Sequence, residues 1–121
     1  MHFQAEPFQE VKLVRCTRGE IYDVIIDLRP NSSTYQQYFG AILSSDTRDM
    51  MYVPEGFAHG FLTLTAAAEV YYQISEFYSP TAARGVRWND PAFGIKWPRE
   101  VKVISDRDSH YPDFTPSTIR A

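Results

Sequence analysis

A chain of 121 residues with 44% hydrophobic and 15% aromatic side chains is long enough for one compact domain with a real core. No apolar run approaches the ~18 residues of a membrane-crossing helix, and a net charge of −3 without a long basic run excludes nucleic acid as the expected partner. Cys16 is the sole cysteine, so no internal disulfide can form, and the N-terminus carries neither a basic nor an apolar leader segment; both features fit a cytoplasmic protein.

In chain order the pattern predicts strands. Residues 11–16 form the first, with Cys16 as a core residue, and 17–20 a hairpin-length turn containing Gly19. Residues 21–28 form the next, with Tyr22, Val24, Ile26 and Leu28 on one face and Ile21, Asp23, Ile25 and Asp27 on the other. Asp23 and Asp27 read as structural. After a loop at 30–34, further short strands are expected at 38–43, 50–53, 59–64 and 69–74, separated by turns at 44–48, 54–56 and 65–67. Six strands at this spacing predict an all-β sandwich or barrel. Residues 79–100, punctuated by Pro80, Gly85, Pro91, Gly94 and Pro98, read as loop-rich with one short strand at 86–88. The polar tail from 112 to 121 is expected to pack weakly.

The densest local signal is VPEGFAHGF at 53–61. Pro54 and Gly56 set a turn, and His59 opens a strand on which His59, Phe61 and Thr63 share a face. The spacing P-x-G-x-x-H resembles the second motif of the cupins, which places His59 at the mouth of a barrel, facing inward. Elsewhere, Lys12 shares its strand face with Val14 and Cys16, and Tyr72 with Val70 and Ile74. Polar side chains on apolar faces mark them as candidates for a site. His110 and the acidic pair Asp106 and Asp108 read, on their own, as solvated.

Along most of its length the chain resembles the dTDP-4-dehydrorhamnose 3,5-epimerase family. The matching stretches, in the family's order, are MHFQ at 1–4, the run from Val11 to Pro30, VPEGFAHGF at 53–61, AEVYY at 68–72, FYSP at 77–80, RWNDP at 87–91, GIKWP at 94–98 and ISDRD at 104–108. The resemblance implies one jelly-roll cupin domain over 1–121, usually dimeric. The family converts a dTDP-linked 4-keto-6-deoxy sugar by epimerising the carbons on either side of its ketone, for rhamnose and surface-polysaccharide synthesis. It implies no metal and no redox cofactor, in keeping with only three histidines (His2, His59 and His110) and no His-x-His pair.

Carried over motif by motif, the resemblance implies His2 as the base, Asp108 as the carboxylate that orients it, Lys12 beside the enolate oxygen and Tyr72 as the acid on the opposite face. It implies His59 beside the sugar, Tyr78 stacked on the thymine and Arg107 near the nucleotide. The chain departs from the family in two places. The family carries a long segment before HFQ, with a phosphate-binding arginine and an arm that reaches the partner subunit. It also has a glutamate after Tyr-Ser-Pro where this chain has Ala83 and Arg84. These departures leave open a non-catalytic nucleotide-sugar-binding or scaffold cupin, and a single-carbon epimerase or keto-isomerase.

Overall fold

The structure, a computed structural model, describes residues 1–120. Eight strands make two antiparallel sheets. They are β1 (His2–Gln4), β2 (Lys12–Arg18), β3 (Glu20–Asp27), β4 (Tyr38–Ser44), β5 (Met50–Val53), β6 (Phe57–Thr63), β7 (Glu69–Ile74) and β8 (Ala83–Gly85). One sheet has the order β4-β3-β6-β1-β8, the other β5-β2-β7. Apart from the β3–β4 hairpin, every connection carries the chain from one sheet to the other, which is the winding of a cupin-type jelly roll. Among the described residues no helix is long and apolar enough to cross a membrane.

The alternation predicted for β3 explains the layering. Ile21 and Ile25 point between the sheets, where they meet Val14 and Cys16 of β2, Leu43 of β4 and Met51 and Val53 of β5. Val24, Ile26 and Leu28 point the other way, against Met1, Phe3, Ala58, Val86 and Phe93. The larger sheet is therefore buried on both faces, and each fully buried aliphatic side chain contributes about 1.5–3 kcal/mol of transfer free energy. Asp27, also buried, accepts hydrogen bonds from Arg29, Ser32 and Thr34 and so fastens the loop after β3.

Two readings of the C-terminal third are corrected. The last strand lies at Ala83–Gly85, not 86–88, because it pairs with β1 (His2 opposite Gly85, Gln4 opposite Ala83), while Val86 turns into the core. The tail is not loosely packed: Phe114 and Ile119 pack against the core, and the buried Asp90 carboxylate accepts from the Phe114 N–H at 2.6 Å. Residues 65–67 form a bend, and two short helices follow, α1 (Asp106–Ser109) and α2 (Ser117–Arg120).

Candidate active site

A cavity of about 550 Å³ opens between the sheets at one end of the barrel. His2 and His59 enter it from neighbouring strands of the larger sheet, where they are direct cross-strand partners. Lys12 and Tyr72 enter from β2 and β7 of the smaller sheet. The C-terminal segment closes the end with Trp88, Trp97, Val101 and Asp108. The size suits a small ligand with most of its surface enclosed.

The turn before β6 sets His59. Gly56 has φ +82°, a left-handed conformation that glycine adopts without a steric penalty. It lets the chain turn from Pro54 into β6 with His59 facing inward. Its Nε2 then meets Asp23 Oδ1 at 2.6 Å, with the two side chains 3% and 0% exposed. The second Asp23 oxygen is buried without a hydrogen-bond partner.

His2 makes the equivalent contact with a different carboxylate. Its Nε2 lies 2.5 Å from Asp108 Oδ1, and Arg107 Nη2 stands 3.3 Å from the same nitrogen. Asp108 and Arg107 ride on α1, whose N-cap Ser105 accepts from the Asp108 N–H through Oγ. Burial lowers the His2 pKa below the ordinary histidine value against the opposing pull of the Asp108 hydrogen bond. Burial would raise the Asp108 carboxyl, but the His2 contact together with the chain's amino group and the Ser105 hydrogen bond holds it below its usual value. Both directions describe a neutral imidazole beside a carboxylate at neutral pH. Donation from Nε2–H to Asp108 leaves the Nδ1 lone pair free, which is the state a general base starts from.

Tyr72 is the complementary group. Burial, and secondarily the charge of Asp23, push its phenol up to about 12, so it stays protonated and able to donate. Its ring meets His59 edge to face, with centroids 5.9 Å apart. Lys12 is buried and paired with Glu10 at 3.3 Å.

The structure thus brings His2, Lys12, His59, Tyr72 and Asp108 to one cavity, with Arg107 at its edge beside His2. Tyr78 does not line it. It is 69% exposed on the loop after β7, and that loop is tied to β1 because Gln4 donates to Phe77 O and accepts from the Ser79 N–H. Asp23, read from the sequence as structural, is the partner of the cavity-lining His59. The available signal was an acidic side chain on the Ile21/Ile25 face of β3, where a buried carboxylate needs a partner. Trp88 and Trp97 were likewise hidden in a segment without periodicity. Among the described residues no three His, Cys, Asp or Glu side chains converge as a metal site requires.

The family model described as dTDP-4-dehydrorhamnose 3,5-epimerase matches residues 1–116. A dTDP-4-dehydrorhamnose 3,5-epimerase of Sinorhizobium fredii is 47% identical over 94% of this chain, and one of Methanothermobacter thermautotrophicus 46% identical over 92%. The chain spans 59% and 61% of the length of those relatives. Among solved structures, the Bacillus anthracis dTDP-4-dehydrorhamnose 3,5-epimerase with TDP and PPi bound superposes with a TM-score of 0.90 at 44% identity. That match covers 93% of this chain and 65% of the other. A 3'-monoepimerase from Streptomyces bikiniensis, in complex with dTDP-quinovose, superposes with a TM-score of 0.87 at 30% identity, covering 98% and 60%. The two-sheet fold, the paired histidines and these matches lead to one conclusion: the chain belongs to the dTDP-4-dehydrorhamnose 3,5-epimerase family.

Proposed function

We propose that the cavity epimerises a dTDP-linked 4-keto-6-deoxy sugar at carbons flanking its ketone. The observation that carries this reading is one cavity lined by His2 from the larger sheet and Tyr72 from the smaller, the imidazole with a lowered pKa and the phenol with a raised one. A C–H beside a ketone is acidic because its carbanion delocalises onto oxygen as an enolate. His2 Nδ1 takes that proton, and Asp108 stabilises the imidazolium that forms. Lys12 supplies positive charge to the enolate oxygen as it develops, in a cavity where partial exclusion of water strengthens the interaction. The His59–Asp23 pair lies beside the sugar. Tyr72 then returns a proton to the opposite face of the carbon, which inverts it. Only protons move, and the sugar's oxidation state is unchanged, so the sequence of steps calls for no redox cofactor.

In the nucleotide reading Arg107 lies near the nucleotide and Tyr78 against the thymine ring. That reading is supported by the relatives' bound molecules: TDP and PPi in the Bacillus anthracis structure, and dTDP-4-keto-L-rhamnose in the Legionella pneumophila structure, which superposes with a TM-score of 0.84. A soluble, charged nucleotide sugar fits a cytoplasmic enzyme of deoxysugar and polysaccharide synthesis. Homodimer formation is supported by the outer face of the smaller sheet, where Met50 and Tyr52 of β5 and Tyr71 of β7 are exposed on either side of β2. A single-carbon epimerase is the second reading, favoured by the likeness to the 3'-monoepimerase.

The test is a proton NMR assay in deuterated water with dTDP-4-keto-6-deoxyglucose. Deuterium at C3 and C5 with rhamno product supports double epimerisation, and deuterium at one position supports the second reading. Binding without exchange overturns both in favour of a non-catalytic nucleotide-sugar-binding cupin.

A further inference from the structure

Tyr111 follows α1 and belongs to none of the motifs that carry the family resemblance. Its ring meets the His2 imidazole edge to face, with centroids 6.2 Å apart and planes at 72°. It lies over β8 at Gly85, the direct cross-strand partner of His2. A methyl group built on Gly85 would overlap the ring, so the bare backbone at this position forms the slot that Tyr111 fills. The chain at Tyr111 is held from outside the site. Arg87 donates from Nη1 to the Tyr111 carbonyl at 3.1 Å, and its Nη2 pairs with Asp113 at 2.8 Å.

The Asp108 contact fixes His2 at Nε2 only, and a ring held at one atom can still tilt about that bond. We propose that Tyr111 is a positioning residue for the base: seated over Gly85, its ring fixes the plane of the His2 imidazole and keeps water from that side of it. The inference rests on the reading of His2 as the base. The groups that face His2 are Asp108 and Arg107 on α1, the chain's amino group at Met1, His59 across the strand pair and Tyr111 itself. Of the influences on His2, burial is the largest and lowers its pKa. Tyr111 contributes to that burial through its ring, and its phenol also hydrogen-bonds Arg107, whose charge lowers the His2 pKa.

The experiment measures two quantities on the full chain, the titration of His2 Cε1–H by proton NMR and the pH dependence of kcat for solvent exchange. Tyr111→Ala hydrates His2. Its titration midpoint and the acid limb of kcat should therefore rise together, and plateau kcat should fall about tenfold with less change in KM. Tyr111→Phe retains the ring and loses only the phenol's bond to Arg107, so the His2 titration and the limb should move less than in Tyr111→Ala. Gly85→Ala displaces the ring and should reproduce the upward shift. Should Tyr111→Ala fail to fold, Tyr111→Leu fills part of the slot and should shift His2 the same way by less. An unchanged His2 titration in Tyr111→Ala or Tyr111→Leu overturns the proposal, as does a Tyr111→Phe variant that shifts as far as Tyr111→Ala. His2→Gln separates the two readings. If it still exchanges deuterium the base reading fails, whereas abolished exchange with a Tyr111-independent titration defeats the positioning role alone.

Discussion

His2 and His59 are direct cross-strand partners, and each gives its Nε2 to a different carboxylate: His2 to Asp108 at 2.5 Å, His59 to Asp23 at 2.6 Å. The two pairs differ in surroundings. His59 and Asp23 are almost fully buried, while the His2 and Asp108 side chains are 41% and 30% exposed. A proton exchanged with substrate must reach a group that can relax and be recharged, which favours the proposed use of the wetter pair for proton removal and of the drier pair beside the sugar.

Replacing Asp108 by Asn tests that assignment. The Asp108 hydrogen bond and charge raise the His2 pKa against burial. Their loss should lower it further, so the acid limb of kcat should move to lower pH. Plateau kcat should fall on the order of 10²-fold, because the base is weaker and its tautomer is no longer held. An upward shift of the limb would contradict the assignment.

Tyr72→Phe separates the two halves of the reaction. Proton removal by His2 stays intact, so deuterium exchange at the first carbon should continue within about tenfold of its normal rate, while inversion falls by about 10²-fold or more. The measurement is parallel integration of exchanged substrate and epimerised product. Equal loss of both would show that Tyr72 is not the second proton's donor. Because the Tyr72 phenol is pushed up to about 12, it should produce no basic limb in the physiological range.

The parts of this arrangement legible in the sequence are those written in short-range alternation. Strands β2 to β7 are apolar-rich runs set off by turn residues, with clear alternation in β2, and Gly56 with Pro54 announces the turn that sets His59. What was not legible depends on partners distant in the chain. Asp23 finds His59 36 residues away, which strand patterning alone does not reveal, and the pairing of His2 with Asp108, 106 residues away, is legible only through the motifs MHFQ and ISDRD. β1 is pinned between β6 and β8, and a three-residue strand has too little alternation to announce that pairing. Strand β8 was displaced in the reading because Val86 looks like a strand residue. Its burial comes instead from the C-terminal layer that also takes up Phe93 and Phe114.

Asp23 should matter to stability as well as to the site. Asp23→Ala leaves the buried His59 Nε2 without its hydrogen-bond partner, and a buried polar group left unsatisfied costs about 1–3 kcal/mol. A chemical denaturation series should show that loss. In a variant that remains folded, the Tyr72 phenol should titrate lower, since the Asp23 charge that helps raise it is gone. Tyrosine-labelled NMR reads that shift directly, and an unmoved phenol would show that burial alone sets it.

Asp27 gives a stability prediction far from the chemistry. Burial alone would raise its pKa, but hydrogen bonds from Arg29, Ser32 and Thr34 hold the carboxyl well below the usual range. A carboxyl depressed in the folded state stabilises the fold fully above its unfolded pKa, and that contribution is lost as pH falls toward the folded value. The native chain should therefore lose stability steadily as pH drops below the ordinary carboxylate range. Asp27→Asn should show less of that slope and should be less stable by about 2–3 kcal/mol at neutral pH, because the charge-assisted bonds are weakened. Urea midpoints measured at neutral and acid pH for both chains decide it. Parallel midpoints in the two chains would mean that the loop after β3 is held by its packing and not by Asp27.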